Sequence, residues 1–124
     1  MNVQATNNKG ILVVKLIGRL DFDSMLPFRR TCLERLSLEL VVFDFGQLFF
    51  VGSVGLTEFV DTFKALEQTG ARFRLTGLSS EFKRLFDANG LTAQFAMEST
   101  ERAIHSLLNP SAVPAIGLVP LTEL

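Results

Sequence analysis

The chain has no tryptophan, no tyrosine, one cysteine and one histidine in 124 residues. A single cysteine, Cys32, excludes an internal disulfide, and its apolar helical setting suits a small buried hydrophobe. One histidine and one cysteine without clustered partners give no metal-ligand set, so no metal and no cofactor are expected. Charge of either sign is not in excess: the formal net charge is −1. That balance gives no electrostatic basis for binding nucleic acid or an anionic membrane. The basic pairs Arg29-Arg30, Arg72/Arg74 and Lys83-Arg84 are separated and interleaved with acids, as solvated faces are. No charge-free apolar run reaches the roughly 20 residues of a membrane span. The polar start of the chain has no apolar signal-peptide core, so a cytoplasmic location without membrane insertion is expected.

What the chain has is phenylalanine, twelve of them, within a composition that is 48% hydrophobic and 20% charged. This length and composition suit one globular domain with its own core. Residues 2–6 alternate as an edge strand, residues 7–10 form a turn cluster, and residues 11–20 form a strong strand; the two strands predict a hairpin. Asp21 to Ser24 then supplies capping side chains, with Pro27 in the first turn, where a missing N–H costs little. Phe28, Cys32, Leu33 and Leu36 follow at helical spacing.

Residues 40–45 are almost continuously apolar, as a central strand covered on both faces is. Leu56, Phe59, Val60, Phe63 and Leu66 define an amphipathic helix that ends at Gly70. Residues 72–76 alternate as a strand. Ser79 or Ser80 caps a short helix carrying Phe82, Leu85 and Phe86, which ends at Asn89-Gly90. A short strand is predicted near residues 93–97 and a helix near 99–108. Beyond it the segment "NPSAVPAIGLVPLTEL" holds three prolines and no charge before Glu123, and it cannot be a continuous helix. Strands alternating with helices predict an α/β domain whose mixed, largely parallel sheet has an antiparallel entry hairpin. In such sheets the loops at the carboxyl ends of strands form the usual functional edge.

One such loop, within "FFVGSVGLTEF" (residues 49–59), holds Ser53 between two glycines. A hydrolase elbow needs glycine where Val51 stands, and it needs a base that His105, outside that turn, does not supply. A phosphate-cradling loop needs a following lysine, which is absent. Asp21 and Asp23, two residues apart in a turn, are better suited to capping than to paired-carboxylate chemistry. Two roles stay open for Ser53. It caps the following helix, or it accepts a phosphate from a partner kinase at a helix N-terminus, where free N–H groups and the macrodipole stabilise the added charge.

Taken in order, "GRLDFDS" (18–24), "VVFDFGQLFFVGSVGLTEF" (41–59) and "TGARFRLTGLSSEFKRLFDANGL" (69–91), with the closing helix, resemble a STAS domain of the anti-sigma factor antagonist kind. The likeness covers nearly all of residues 10–108. It implies a small α/β sandwich of about five strands and about four helices over residues 1–108. Residues 109–124 are then an apolar, proline-containing C-terminal extension and a candidate surface for homodimer formation. It also implies a non-enzymatic protein that docks to an anti-sigma factor that is itself a serine protein kinase.

The family's phosphoacceptor is the first serine of Asp-Ser-Ser-Gly-Leu, which corresponds here to Ser53, with Gly55 and Leu56 retained. Gly52 stands where the family carries aspartate, and Val54 where it carries the second serine. The partner-binding residues implied are Asp21, Asp23, Ser24, Gly52, Val54, Gly55, Leu56 and Thr57. The alternative implied by the same family is a docking subunit without a switch, serving a lipid-transport ABC system or a larger signalling complex.

Overall fold

The computed structural model describes residues 1–36, 39–52 and 55–109. The sheet begins as the alternation predicts: β1 (Asn2–Asn8) and β2 (Ile11–Arg19) pair antiparallel around the two-residue turn Lys9-Gly10. β3 (Leu40–Phe49) then runs parallel to β2, and β4 (Arg72–Thr76) parallel to β3, giving the order β1-β2-β3-β4. Parallel neighbours need crossover connections, and helices supply them. These are α1 (Phe22–Arg35) between β2 and β3 and α2 (Leu56–Gln68) between β3 and β4. After β4 come α3 (Ser80–Asp87), the single turn α4 (Thr92–Phe95) and α5 (Thr100–Leu108).

Strand periodicity divides the core into two layers. On one face, Val14, Leu16, Val41, Phe43, Phe45, Phe73 and Leu75 meet α1, α2, α3 and Phe95 of α4. On the other, Ile11 and Val42 meet Ala103, Ile104 and Leu107 of α5, with Val13, Leu40 and Met97 at the margin. Ten of the twelve phenylalanines form one connected set of rings on the first face. Phe63 lies at its centre, with centroids 4.9 Å from Phe43, 5.1 Å from Phe59 and 5.6 Å from Phe86. Edge-to-face rings at these separations contribute roughly 0.5–1.5 kcal/mol per pair beyond the burial of their area.

Three expectations are corrected. The strand expected at residues 93–97 is the helical turn α4 followed by a single bridge between Ala96 and Leu75. Coiling the chain there lets Phe95 stack on Phe73 at 4.4 Å, a contact that a straight strand at the sheet edge would not make. The sheet therefore has four strands among the described residues. Pro27 is the sixth residue of α1, beyond the first turn, so the bond it would donate to the carbonyl of Asp23 is missing from the helix interior. Finally, the helix after the Ser53 loop is capped by Gly55 and not by serine, as described below. The C-terminal extension assigned to residues 109–124 lies, apart from Asn109, outside the described residues.

Phe63→Ala removes six ring partners from the centre of the core. It should lower unfolding stability by about 3–5 kcal/mol. Urea unfolding followed by far-ultraviolet circular dichroism measures this, since the chain has no tryptophan to report by fluorescence.

Candidate functional site

The parallel arrangement of β2, β3 and β4 brings their carboxyl ends to one edge of the sheet. Arg19 pairs with Phe49, and the amide of Leu20 donates to the Phe49 carbonyl at 2.8 Å, so the turn that starts α1 lies beside the end of β3. The end of β4 is fixed to β3 by a close backbone approach. A Cβ on Gly77 (φ +68°) would lie 2.6 Å from the Gly46 amide nitrogen, so no larger residue fits without moving the turn. Phe50 and Phe82, with centroids 4.8 Å apart, tie the first turn of α3 to the same edge. Three loops, at residues 20–24, 50–56 and 77–80, are thereby held together.

At the first loop, Asp21 caps α1 by accepting a hydrogen bond from the Ser24 amide at 2.8 Å, and it forms an ion pair with the N-terminal ammonium at 2.7 Å. The ammonium bond, and after it the bonds from Ser24, lower its carboxyl to about 2 from an ordinary 3.8. At the second loop, α2 starts at Gly55, whose backbone is left-handed (φ +73°), and no side chain caps the helix among the described residues. A Cβ there would sit 3.2 Å from Cγ of Met25 and 3.7 Å from the Asp21 carbonyl, so Gly55 lets α2 start directly against α1. At the third loop, the hydroxyl of Ser79 accepts from the Phe82 amide at 3.2 Å and caps α3.

Those of the predicted partner-binding residues that are described are thus gathered on one edge. Asp23, Gly52 and Thr57 are exposed, Asp21, Ser24 and Leu56 are partly exposed, and Gly55 is buried against Met25. Ser53 and Val54 lie outside the described residues. The cap position, one of the two roles left open for Ser53, belongs to Gly55, two residues further along the chain.

Residue types alone did not reveal the exposed apolar side chains of this edge. Phe22 is 58% exposed, Leu26 64%, Phe49 55% and Val51 65%. Phe22 and Phe49 are the two phenylalanines outside the ring cluster, and both sit where an element meets a loop of this edge. That junction was the available signal: a large apolar residue at a strand or helix terminus has no core layer above it. Cys32, by contrast, is buried as expected, and burial pushes its thiol up to about 12. A thiol held so far above neutrality is a packing group and not a nucleophile. Among the described residues no group of three or more potential metal-ligating side chains comes together. No helix among them is long and apolar enough to cross a membrane.

A mixed sheet with its helices mainly on one face, and three loops joined at the strands' carboxyl ends, defines the class of fold. Comparison with known proteins identifies it. The STAS domain family model matches residues 2–104, and the chain belongs to this family. It is 30% identical over 95 residues to the anti-sigma-B factor antagonist of Bacillus subtilis (strain 168), which covers 73% of this chain and 84% of that protein. It is 26% identical over 94 residues to the anti-sigma F factor antagonist of Paenibacillus polymyxa, with 73% and 80% covered. Among solved structures, the phosphorylated form of the Bacillus cell fate determinant SpoIIAA superposes with a TM-score of 0.66 at 22% identity. That match covers 86% of this chain and 99% of that one.

The Asp21 cap has a signed pH consequence. Its folded pKa lies below its unfolded value, so the folded state binds fewer protons. The stabilisation is complete above about pH 4 and is lost as pH falls through about 2. The stability difference between the wild type and Asp21→Asn, measured by urea unfolding, should therefore be full at pH 5 and much reduced at pH 2.

Proposed function

We propose that this protein is a cytoplasmic anti-sigma factor antagonist. It docks through the edge formed by residues 20–24 and 50–57 to an anti-sigma factor that is also a serine kinase, and phosphorylation at Ser53 releases it. It acts as a binding module, and chemistry enters only from the partner. The observation that carries the docking reading is the exposure of Phe22 and Val51 on the segments of this edge, and of Leu26 and Phe49 next to them in the chain. Large apolar side chains left in water around one edge mark an interaction surface.

The switch reading is supported by the start of α2. Gly55 offers no side chain to the first-turn amides, and among the described residues no side chain caps them, which suits an anion near the helix N-terminus. Ser53 precedes that cap by two residues in the chain. A phosphate there brings a charge of about −1.5 to −2 to an edge whose character is apolar.

The test is affinity purification from the native host, followed by reconstitution with the captured protein and ATP. An ATP-binding serine kinase should co-purify and add one phosphate. Ser53→Ala should abolish that incorporation while still binding, and Ser53→Asp should weaken binding at least tenfold by titration calorimetry. Recovery of an ABC-transporter ATPase instead, with Ser53→Asp binding normally, would establish the docking subunit without a switch.

A further inference from the structure

Strand β1 forms one edge of the sheet, and no described residue pairs with its outer side. All seven of its residues are exposed, Val3 among them at 48%. An edge of this kind invites a further strand, and proteins ordinarily protect it with charged residues, proline, a bulge or a covering element. Among the described residues β1 has none of these devices. Its sequence NVQATNN holds no charge and no proline, and its register with β2 runs unbroken from Asn2 opposite Ile17 to Asn8 opposite Ile11.

The hairpin turn fixes which backbone groups are left over. Lys9 (φ +56°) and Gly10 (φ +84°) both have positive φ, as in a type I′ turn, which closes on a hydrogen-bonded pair, here Asn8 and Ile11. Hydrogen-bonded and non-hydrogen-bonded pairs then alternate along the ladder. Asn8, Thr6, Gln4 and Asn2 therefore spend their N–H and C=O groups on β2, while those of Asn7, Ala5 and Val3 point outward from the sheet. The side chains of these three residues share one face of the strand, where they line an open groove of about 760 Å³ between β1 and α1.

We propose that β1 pairs with β1 of a second copy of this chain, antiparallel and about a twofold axis at Ala5. This register uses the whole strand: Val3 lies opposite Asn7, Ala5 opposite Ala5, Gln4 opposite Thr6 and Asn2 opposite Asn8. Each pair of outward-facing residues exchanges two backbone bonds, and the smallest side chain of the strand falls on the axis. No like charges meet within the strands. One residue further, Lys9 of one copy comes opposite Met1 of the other. The Met1 ammonium is already paired with Asp21 at 2.7 Å, and Asp23 lines the same groove as Met1, which leaves Asp23 as the acid for Lys9. Symmetry supplies this charge match at both ends of the paired strands, which is what selects a second copy over an unrelated strand. Paired residues point to the same face, so both α1 helices lie on one side of the joined sheet and the two grooves meet between them. Residues 50–57 take no part, and only Asp23 is common to this surface and the docking edge.

Sedimentation equilibrium of the full chain alone, over a wide concentration range, tests the pairing. The mean mass should rise with concentration toward twice that of one chain. The amides of Val3, Ala5 and Asn7 should exchange with solvent more slowly in concentrated than in dilute solution. A mixed labelled and unlabelled sample should show an intermolecular cross-peak between Hα of Gln4 and Hα of Thr6. Ala5→Pro removes an outward N–H and no bond to β2, and it should weaken association at least about tenfold while the amide shifts of β3 and α2 stay unchanged. Ala5→Lys, which sets like charges opposite each other on the axis, should weaken it by a similar factor, and less so at high salt. Lys9→Glu should weaken it about threefold to tenfold.

A chain that stays monomeric across the range would overturn the proposal and leave the edge to a strand of another protein. So would protection of the Val3, Ala5 and Asn7 amides that does not change on dilution, which would assign the edge to a strand of the same chain. A dimer that both Ala5→Pro and Ala5→Lys leave intact has its interface elsewhere, and one indifferent to Lys9→Glu lacks the charge match that sets the register; either result overturns it too.

Discussion

Ten phenylalanine rings packed between the sheet and α1, α2, α3 and α4 set the position of nearly every other element. Phe43, Phe45 and Phe73 project from the strands, and Phe28, Phe59, Phe63, Phe82 and Phe86 come down from three helices to meet them. Rings have few rotamers and preferred edge-to-face contacts, so a set of this size limits how the helices can slide over the sheet. Since Phe59 is only four residues from Gly55, fixing its ring between Phe28, at 5.8 Å, and Phe45, at 5.7 Å, also fixes the first turn of α2. The start of α2, which closes the candidate docking corner, is therefore the terminus of a packed element.

The same packing explains why two glycines matter at this edge. Because the rings draw α1 and α2 together, the start of α2 lies against Met25 and the Asp21 backbone, and only a residue without a side chain fits at position 55. A serine at the cap would have bonded the first-turn amides and satisfied them locally. Glycine supplies no such bond. The close packing of α1 on α2 is thus the structural cause of a cap without a side chain at Gly55.

Most elements were legible in the sequence because their periodicities are unambiguous. The spacing of Leu56, Phe59, Val60, Phe63 and Leu66, and the alternation in residues 72–76, admit one reading each. The segment 92–97 does not: a six-residue stretch is too short to separate alternation from a single helical turn, and the stacking of Phe95 on Phe73 decides it. Proline chemistry favours a first turn for Pro27, whereas its actual place, the sixth residue of α1 on an exposed side, is set by tertiary structure. At the site, the capping aspartate and the convergence of the loops followed from turn chemistry and parallel topology. The outward-facing phenylalanines did not, since residue type alone assigns Phe22 and Phe49 to a core that already holds ten others.

The charge left on the edge determines how strong a phosphate's effect would be. Asp21 is paired with the N-terminal ammonium, which leaves Asp23 as the exposed carboxylate of this turn. Gly52 and Val54 replace two polar residues of the family pattern, so the resting corner is less negative and more apolar than that pattern provides. Apolar contact depends on excluding water from both surfaces, and a dianion resists dehydration far more than a hydroxyl does. On an edge already rich in carboxylates, one more negative group would change the local field only by degree. On this edge it would reverse the character of the surface, from one that favours burial to one that opposes it. On the proposed reading, the departures from the family motif would therefore remove a polar contact to the kinase and at the same time increase the contrast between Ser53 with and without a phosphate.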